Sequence, residues 1–423
     1  MARSARSRRT VRTRHDEARG LIEARLLEAV LRRPGSTKAE LAAAVGHSRP
    51  TVSSVLASLH ARGLVRSSTR VSGTRGRRPQ VWTFDPRARL VAGVDLGGTK
   101  LHVAVGTLDG TILAESVAAT RGDRGEVLIH QIVDEIRAVL AASGGRRGDL
   151  GRVVLGSPGI VEPDGTMRYA DNLPGLRGVR VGERISDLLQ VPVDVENDVN
   201  LAAFGEHRSG NARRCQNFVE LSVGTGIGMG IFMTGKLVRG SGGASWEVVY
   251  MPIGSDPRTA EARSRGAFEV AAAGSGVEAL LEQSRRSGLT TVLGARPSVE
   301  EIFAAARGGD PLACEVVERH ATLLAEGILA VCAVLDPEMV VLAGGIGTNE
   351  VLLEPIRSAL EDITPSPVKV AVSALGPKAG LVGAVLFAAD AQLRDILEQT
   401  RSGRHAASAR RRGRRPGRRS RTS

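Results

Sequence analysis

Three glycine-rich turns and one acidic strand end carry the chemistry open to this sequence. Asp95-Leu96-Gly97-Gly98-Thr99-Lys100 sets a carboxylate at the end of an apolar run and follows it with two glycines. Backbone N–H groups in such a turn approach a phosphate closely, and a carboxylate beside them can hold hydrated Mg²⁺. Gly224-Thr225-Gly226-Ile227-Gly228 offers a second phosphate-approach turn. Val340-Val341-Leu342-Ala343 runs into a third, at Gly344-Gly345-Ile346-Gly347. One glycine loop is weak evidence, because tight turns need glycine for steric reasons alone. Three, each after an apolar strand, make a pattern. Glu196-Asn197-Asp198-Val199-Asn200 then leads into Leu201–Glu206 at the junction of a strand and a helix. A carboxylate at Asp198 can take the proton of a sugar hydroxyl as it attacks a γ-phosphate. The competing role for Asn197 or Asp198 is a plain helix N-cap.

The elements that position these residues read as α/β, with strands and helices alternating beyond Pro86. Val91–Lys100 leads into Leu101–Val105, a turn at Gly110 and then Ile112-Leu113. Phe218–Gly226 leads into Ile227–Phe232, a turn at Gly235 and then Leu237-Val238. The echo predicts two similar lobes with a cleft between them. Ahead of this body, Leu21, Ile22, Leu26, Leu27, Val30 and Leu31 recur at helical spacing up to Pro34-Gly35. Thr37-Lys38-Ala39-Glu40 is a capping-box pattern opening a short helix that Gly46 ends. Ser48 caps a third helix, with Pro50 in its first turn, and Gly63 ends it. Strands come next at Leu64-Val65 and Gln80–Phe84. Three helices and a hairpin make a winged helix-turn-helix. The expected organisation is a basic arm at 1–14, the winged helix at 15–88, a two-lobed body at 91–398 and an Arg-rich tail at 399–423. Within the body, the lobes fall at about 91–205 plus 378–398 and at about 206–377. Residues 1–14 and the tail are expected to lack structure when free.

A helix enters the major groove only if its outward face is polar and can approach base edges. From Ser48 to Leu59, Val52, Val55, Leu56 and Leu59 share one side, while Ser48, Arg49, Thr51, Ser53, Ser54 and Ser58 fill the rest. Arg49 can make a bidentate guanine contact, and Thr51, Ser53 and Ser54 can bond phosphates or bases. Arg75, Arg77 and Arg78 around Gly76 suit a wing tip against a minor groove or a phosphate backbone. Basic residues are not interleaved with aromatics, which argues against stacking on single-stranded RNA.

The charge distribution agrees with this division. Residues 1–90 hold 20 Lys and Arg against 6 acids, and residues 401–423 hold 10 Arg and no acid. Since the whole chain is +13, the body between them is acidic. Basic ends on an acidic middle fit a polyanion partner for the ends, or plain solvated segments. Cys215, Cys314 and Cys332 lie far apart without metal-type spacing, as small hydrophobes in a reducing cytoplasm do. The apolar run Ile328–Leu335 is far short of the roughly 20 residues that span a bilayer. No apolar stretch comes after the basic N-terminus, so no secretory signal is read there.

Over roughly residues 17–398 the chain resembles the ROK family of repressors, open reading frames and sugar kinases, and in particular its winged-helix repressor branch. Gly156-Ser157-Pro158-Gly159-Ile160-Val161, Asn172-Leu173-Pro174-Gly175, and turns at Leu375-Gly376 and Gly383-Ala384 match that family's layout. The resemblance implies an actin-like two-lobed ATPase fold with a sugar in the interlobe cleft. It implies that Asp95 faces Mg²⁺. Gly97, Gly98, Thr99, Lys100, Gly224, Thr225 and Gly226 would lie at phosphates, and Gly344 and Gly345 at adenosine. Gly159, Asn172, Asn197, Asp198 and Glu247 would meet the sugar, with Asp198 as general base.

The departures from the pattern are informative. The family carries Gly-Glu-Ile-Gly-His and then Cys-x-Cys-Gly-x-x-Gly-Cys-x-Glu, whose His and three Cys bind a structural zinc. Here the first stretch is Trp246-Glu247-Val248-Val249-Tyr250 and the second ends Gly266-Ala267-Phe268-Glu269. Glu247 and Glu269 remain, Tyr250 holds the His position and Ala267 the last Cys position. An S₃N zinc site cannot be built from these residues. Trp246 either stacks on a sugar face or plugs the pocket. Three functions compete: a transcription regulator, read as a repressor, set by a sugar or sugar phosphate; an ATP-dependent hexose or amino-sugar kinase that also binds DNA; and a regulator with a vestigial cleft and a protein signal. The reading favours a sensor over a working enzyme, with ATP and Mg²⁺ compatible but not required. Its partners would be a double-stranded DNA operator and a second copy or more of the chain, as a homodimer or homotetramer, with no membrane. Purified protein is expected to carry no tightly bound zinc; one equivalent in elemental analysis would refute this.

Overall fold

The computed structural model describes residues 2–69, 79–121, 125–162, 165–168, 173–241 and 247–403. Side chains are described from Glu17 onward, except at Ile160, Arg168 and Pro174. The chain divides into two compact units: Met1–Val91 with Thr107–Thr111 and Ala389–Ser423, and Ala92–Gly106 with Ile112–Ala388.

The first unit opens with α1 (Ala2–Arg32), β1 (Ser36–Thr37), α2 (Lys38–Val45), α3 (Arg49–Ala61), β2 (Val65–Thr69) and β3 (Gln80–Phe84). The capping box at Thr37 is formed in both directions: Glu40 N–H donates to Thr37 Oγ1 at 3.3 Å, and Thr37 N–H to Glu40 Oε2 at 2.7 Å. Gly46, at φ 69°, closes α2 in the left-handed region that a side chain would resist. Leu26, Leu27, Val30, Val52, Leu56 and Leu59 are fully buried together. The sheet has a strand the sequence did not declare, for β1 pairs with β3 and sets Ser36 opposite Trp82. The basic arm also departs from expectation, since α1 is helical from Ala2. No Gly or Pro precedes Gly20, and Ala and Arg are good helix formers.

The second unit holds β4 (Leu90–Leu96), β5 (Lys100–Thr107), β6 (Ile112–Ala119), α4 (Gly125–Ala142), β7 (Leu150–Ser157), β8 (Ile160–Val161), β9 (Met167–Arg168), α5 (Val181–Leu189), β10 (Val193–Asn197) and α6 (Asp198–Ser209). It continues with β11 (Phe218–Val223), β12 (Ile227–Met233), β13 (Lys236–Leu237), α7 (Ala260–Arg265), α8 (Ala267–Ala272), α9 (Gly274–Ser284), α10 (Val299–Arg307) and α11 (Pro311–Leu335). Then come β14 (Met339–Ala343), α12 (Gly344–Gly347), α13 (Leu353–Ile363), β15 (Val370–Val372) and α14 (Ala379–Arg401), whose last residues belong to the first unit. The strand orders are β10-β7-β4-β5-β6 and β13-β12-β11-β14-β15. Counted from the first strand of each lobe, both read fifth, fourth, first, second, third, with the second sheet written from its other edge. The internal echo in the sequence is therefore a repeat of topology.

The lobes meet along α6, which glycines admit. A Cβ at Gly228 or Gly230 of β12 would lie 2.8 Å from the Val199 side chain or 2.6 Å from Ala203 Cβ. A Cβ at Gly156 of β7 would lie 2.8 Å from Leu201. One at Gly383 would lie 1.7 Å from the Leu201 carbonyl oxygen. Gly383-Ala384, read from sequence as a turn, thus lies inside α14, where glycine permits close helix packing instead of a bend. Gly344 likewise begins the one-turn helix α12, not an open turn, after a break at φ 79°.

Glu220 on β11 is fully buried, and neither carboxylate oxygen has a hydrogen-bond partner among the described residues. Burial, and secondarily the charge of Glu206, push its carboxyl well above the usual range. The folded protein therefore keeps a proton that the unfolded chain releases above about pH 4.3. That difference removes stability as pH rises from this value toward the raised one. Glu220→Gln should raise Tm at pH 8 and leave it nearly unchanged at pH 4, by differential scanning fluorimetry. An offset independent of pH would count against this account.

Candidate functional site

Asp95 is the penultimate residue of β4 and is partly accessible. The turn after it is tied by Gly97 N–H donating to the Lys100 carbonyl at 2.8 Å and by the Thr120 hydroxyl donating to the Gly97 carbonyl at 2.8 Å. Gly98, Thr99 and Lys100 are exposed there. α14 crosses behind, since a Cβ at Gly380 would lie 3.4 Å from Asp95 Cγ. Asp198 opens α6 from the end of β10, and β7 lies between β10 and β4. A Cβ at Gly156 would lie 3.3 Å from the Val94 carbonyl oxygen and 3.7 Å from Asp198 Cα. Burial first, and then the charge of Asp198, raise the Asp95 carboxyl to about 7. Burial also raises Asp198, opposed by the Val199 N–H that donates to its Oδ1 at 2.9 Å. Two carboxyls raised by burial, one of them also by the other's charge, beside a turn of exposed residues, suit a divalent cation or a proton transfer.

The N-cap question resolves residue by residue. Asn197 is the cap: its Oδ1 accepts from Val199 N–H at 3.0 Å and Asn200 N–H at 3.1 Å. Its Nδ2 donates to the Gly159 carbonyl at 3.2 Å, which brings two expected sugar residues together. Asp198 is the first helical residue. Glu196 accepts from Asn200 Nδ2 at 2.9 Å and pairs with Arg239 at 2.5 Å. Sequence reading missed this ion pair. Glu196 had a signal in its place beside Asn197-Asp198, but nothing local points to Arg239, 43 residues onward.

The other two glycine segments adjoin. A Cβ at Gly344 would lie 2.4 Å from the Val223 carbonyl oxygen, and one at Gly224 would lie 3.7 Å from Gly345 N. Gly274 N–H, at the start of α9, donates to the Gly224 carbonyl at 2.9 Å. Thr225, Gly226 and Gly345 stay exposed. Glu269 reaches this place too, accepting from Ile227 N–H at 3.1 Å. The carboxyl of Glu247, raised by burial first, is raised also by Glu269. The two acids retained from the family pattern are therefore neighbours.

The segment that carries zinc ligands in the family pattern is held here without them. Counted back from Glu269, the three Cys positions fall on Ala260, Ala262 and Ala267, and the latter two are buried. Tyr250 OH donates to the Ser264 carbonyl at 3.5 Å. A Cβ at Gly266, φ 96°, would lie 2.4 Å from the Val249 carbonyl oxygen. Arg265 pairs with Glu261 at 3.1 Å and Glu269 at 3.4 Å. Among the described residues, no three His, Cys, Asp or Glu side chains are grouped to hold a metal.

On α3, Val52, Val55, Leu56 and Leu59 are buried, while Ser48, Arg49 and Ser54 are exposed and Thr51 and Ser53 half-buried. Ser48 caps the helix and its hydroxyl lies 2.9 Å from that of Thr51, so this pair is engaged locally. Arg75, Arg77, Arg78, Asn172 and Trp246 lie outside the described residues.

The model of the ROK family matches residues 91–391. The chain belongs to the ROK family. A MarR family model matches residues 20–78. The chain is 31% identical to the glucokinase of Thermotoga maritima over 312 residues, which is 71% of this chain and 96% of that protein. It is 23% identical to the xylose repressor of Bacillus subtilis over 363 residues, 85% of this chain and 92% of the repressor. Among solved structures, a ROK family transcriptional regulator, homologous to the E. coli MLC protein, superposes with TM-score 0.75 at 20% identity. It covers 91% of this chain and 99% of its own. A ROK family glucokinase from Streptomyces griseus, solved with glucose and AMPPNP, gives TM-score 0.58 at 30% identity over 71% of this chain and 99% of its own. The fold is a winged helix-turn-helix joined to an actin-like ROK body. No helix among the described residues is long and apolar enough to cross a membrane.

A cation seated at Asp95 must displace its proton, so its affinity should climb as pH passes through about 7. Calorimetric titration with Mg²⁺–AMPPNP is expected to show tighter binding at pH 8 than at pH 6. Asp198→Asn removes the lesser cause and should move that dependence to lower pH, with the part due to burial remaining. Equal affinities at both pH values in the parent protein would contradict the assignment.

Proposed function

We propose that this protein is a cytoplasmic transcription regulator, a repressor, whose hold on a double-stranded operator is set by a sugar or sugar phosphate. The carrying observation is α3: its apolar side is buried in a winged-helix core, and Arg49 and Ser54 face solvent. The matches to the MarR family and to a xylose repressor support this reading. Arg49, Thr51, Ser53 and Ser54 read base edges and phosphates, and Arg75, Arg77 and Arg78 add contacts to the phosphate backbone. Gly159, Asn197, Asp198 and Glu247, together with Asn172, form the effector site. Asn197 holds its backbone turns in place, and Asp198 and Glu247 offer carboxyls to hydroxyl groups. The effector acts by binding one conformation better than the other. A homodimer or homotetramer pairs two winged helices on two half-sites.

The Asp95–Asp198 pair also supports a second reading, an ATP-dependent sugar kinase. Asp95 and the turns at Gly97-Gly98 and Gly224–Gly226 fit a Mg²⁺–nucleotide, which supplies the phosphoryl group when bound. Asp198 would then accept the sugar hydroxyl proton.

The regulator is expected to prefer its own promoter region over random duplex in a salt-sensitive way, and to release it with a sugar. Arg49→Ala should cost about 1–3 kcal/mol of that discrimination, roughly 5- to 150-fold, in fluorescence anisotropy. No preference in the parent protein would end the regulator reading. ADP release with hexoses or amino sugars, lost in Asp198→Asn, would establish the kinase.

A further inference from the structure

The hairpin of β12 and β13 ends in an arginine that reaches the other sheet of the body. Val238 N–H still donates to the Ile231 carbonyl at 2.9 Å, so the pairing holds up to the residue before Arg239. Arg239 Nε then donates to Glu196 Oε2 at 2.5 Å, and its guanidinium carbon stands 5.6 Å from the ring centre of Phe387 on α14. A guanidinium does both at once, with its edge on a carboxylate and its face on a ring, where an ammonium is only a point charge. The two partners are unequally placed: the Arg239 side chain is 46% exposed and that of Glu196 9%. When the pair is broken, the buried carboxylate is the one left uncompensated.

That carboxylate has a second duty. Glu196 is the penultimate residue of β10, and its Oε1 accepts from Asn197 N–H at 3.0 Å and from the buried Asn200 Nδ2 at 2.9 Å. One carboxylate thus spans the turn from strand to helix, and Asn197 and Asp198 lie inside the span. Asn197 carries the register onward through its bonds to Val199 N–H, Asn200 N–H and the Gly159 carbonyl. On the other side of the pair, the chain leads in eight residues from Arg239 to Glu247. The ion pair therefore ties the turn of one sheet that offers groups to an effector to the start of the segment that supplies Glu247 from the other. Converging polar groups serve a ligand only when held within about 0.5 Å of their productive places.

We propose that Arg239 is a positioning residue of the effector site, whose pair with Glu196 holds Asn197 and Asp198 in register with the chain to Glu247. The inference rests on the effector-site reading above. The test uses the full chain with Arg239→Met, Arg239→Lys, Glu196→Gln, and Arg239→Met combined with Glu196→Gln. Methionine keeps an apolar stem for Phe387 and removes the charge; lysine keeps the charge and loses the planar fork. Release of fluorescent operator DNA is titrated with D-glucose, D-xylose, N-acetyl-D-glucosamine and their phosphates as probes. Arg239 and Glu196 lie outside the DNA-reading unit, so without sugar every variant is expected to hold the operator within about twofold of the parent. The half-release concentration is expected to rise about 10- to 100-fold in Arg239→Met and in Glu196→Gln. It should rise no further in the double variant, and less in Arg239→Lys. Parent-like release in Arg239→Met overturns the positioning role and leaves the effector reading standing. Additive losses in the double variant overturn it as well, as do losses that follow melting temperature instead of the charge at position 239. Should Arg239→Met not fold, parent-like release in Arg239→Lys and Glu196→Gln overturns it. A parent that binds operator and is released by none of these sugars overturns the effector reading, and the positioning role with it.

Discussion

The body depends on one steric constraint: α6 must lie closer to two sheets and a second helix than side chains allow. Gly156, Gly228, Gly230 and Gly383 supply the room, and built Cβ atoms there would fall 1.7–2.8 Å from α6 atoms. Gly205, on α6 itself, admits the Ala379 carbonyl oxygen, 2.9 Å from a built Cβ. The consequence is chemical. The first turn of α6 carries Asp198 to Asp95, and the cap residue Asn197 to the Gly159 turn. Shift α6 outward by the width of a methyl group and the carboxyl pair, the cap and the seam between lobes change together. Interiors pack too densely to absorb such a shift locally.

Much of this could be read in the chain beforehand. The topological repeat was visible because a strand–turn–strand unit with glycine punctuation is a local pattern. The caps at Thr37 and Ser48 were visible for the same reason. What misled was glycine itself. It marks a turn or a close approach with equal force, and only tertiary neighbours tell which. Gly383 lies in a helix, and it is glycine because Leu201 lies against it, while Gly344 starts a helical turn beside Val223. The Thr400 hydroxyl accepts from Arg62 across 338 positions, and no local signal could announce it. The Arg239–Glu196 pair escaped likewise. Asn197 shows the opposite case, where the modest role of N-cap and the larger role at a site coincide in one side chain.

The lost metal motif bears on what kind of ligand site this is. In the family pattern, a thiolate and imidazole cluster would fix the wall that presents the glutamates, and structural zinc contributes about 10–16 kcal/mol in small domains. Here the same wall is held by the buried side chains of Ala262, Ala267 and Phe268, by one Tyr250 hydroxyl and by the Arg265 ion pairs. Burying a phenylalanine is worth about 1.5–3 kcal/mol, and partly exposed ion pairs add about 0–1 kcal/mol each. The wall is therefore fixed by packing and ion pairs, and it carries Glu269 to Ile227 N–H and Glu247 beside Glu269. A kinase needs its acceptor held within a fraction of an ångström of attack geometry. A sensor needs a ligand to change the relative free energy of two states by only a few kcal/mol, and a wall held by packing can be shifted by that much. A segment fixed by packing and ion pairs thus fits the effector role proposed for it, with Asp95 and Asp198 in place.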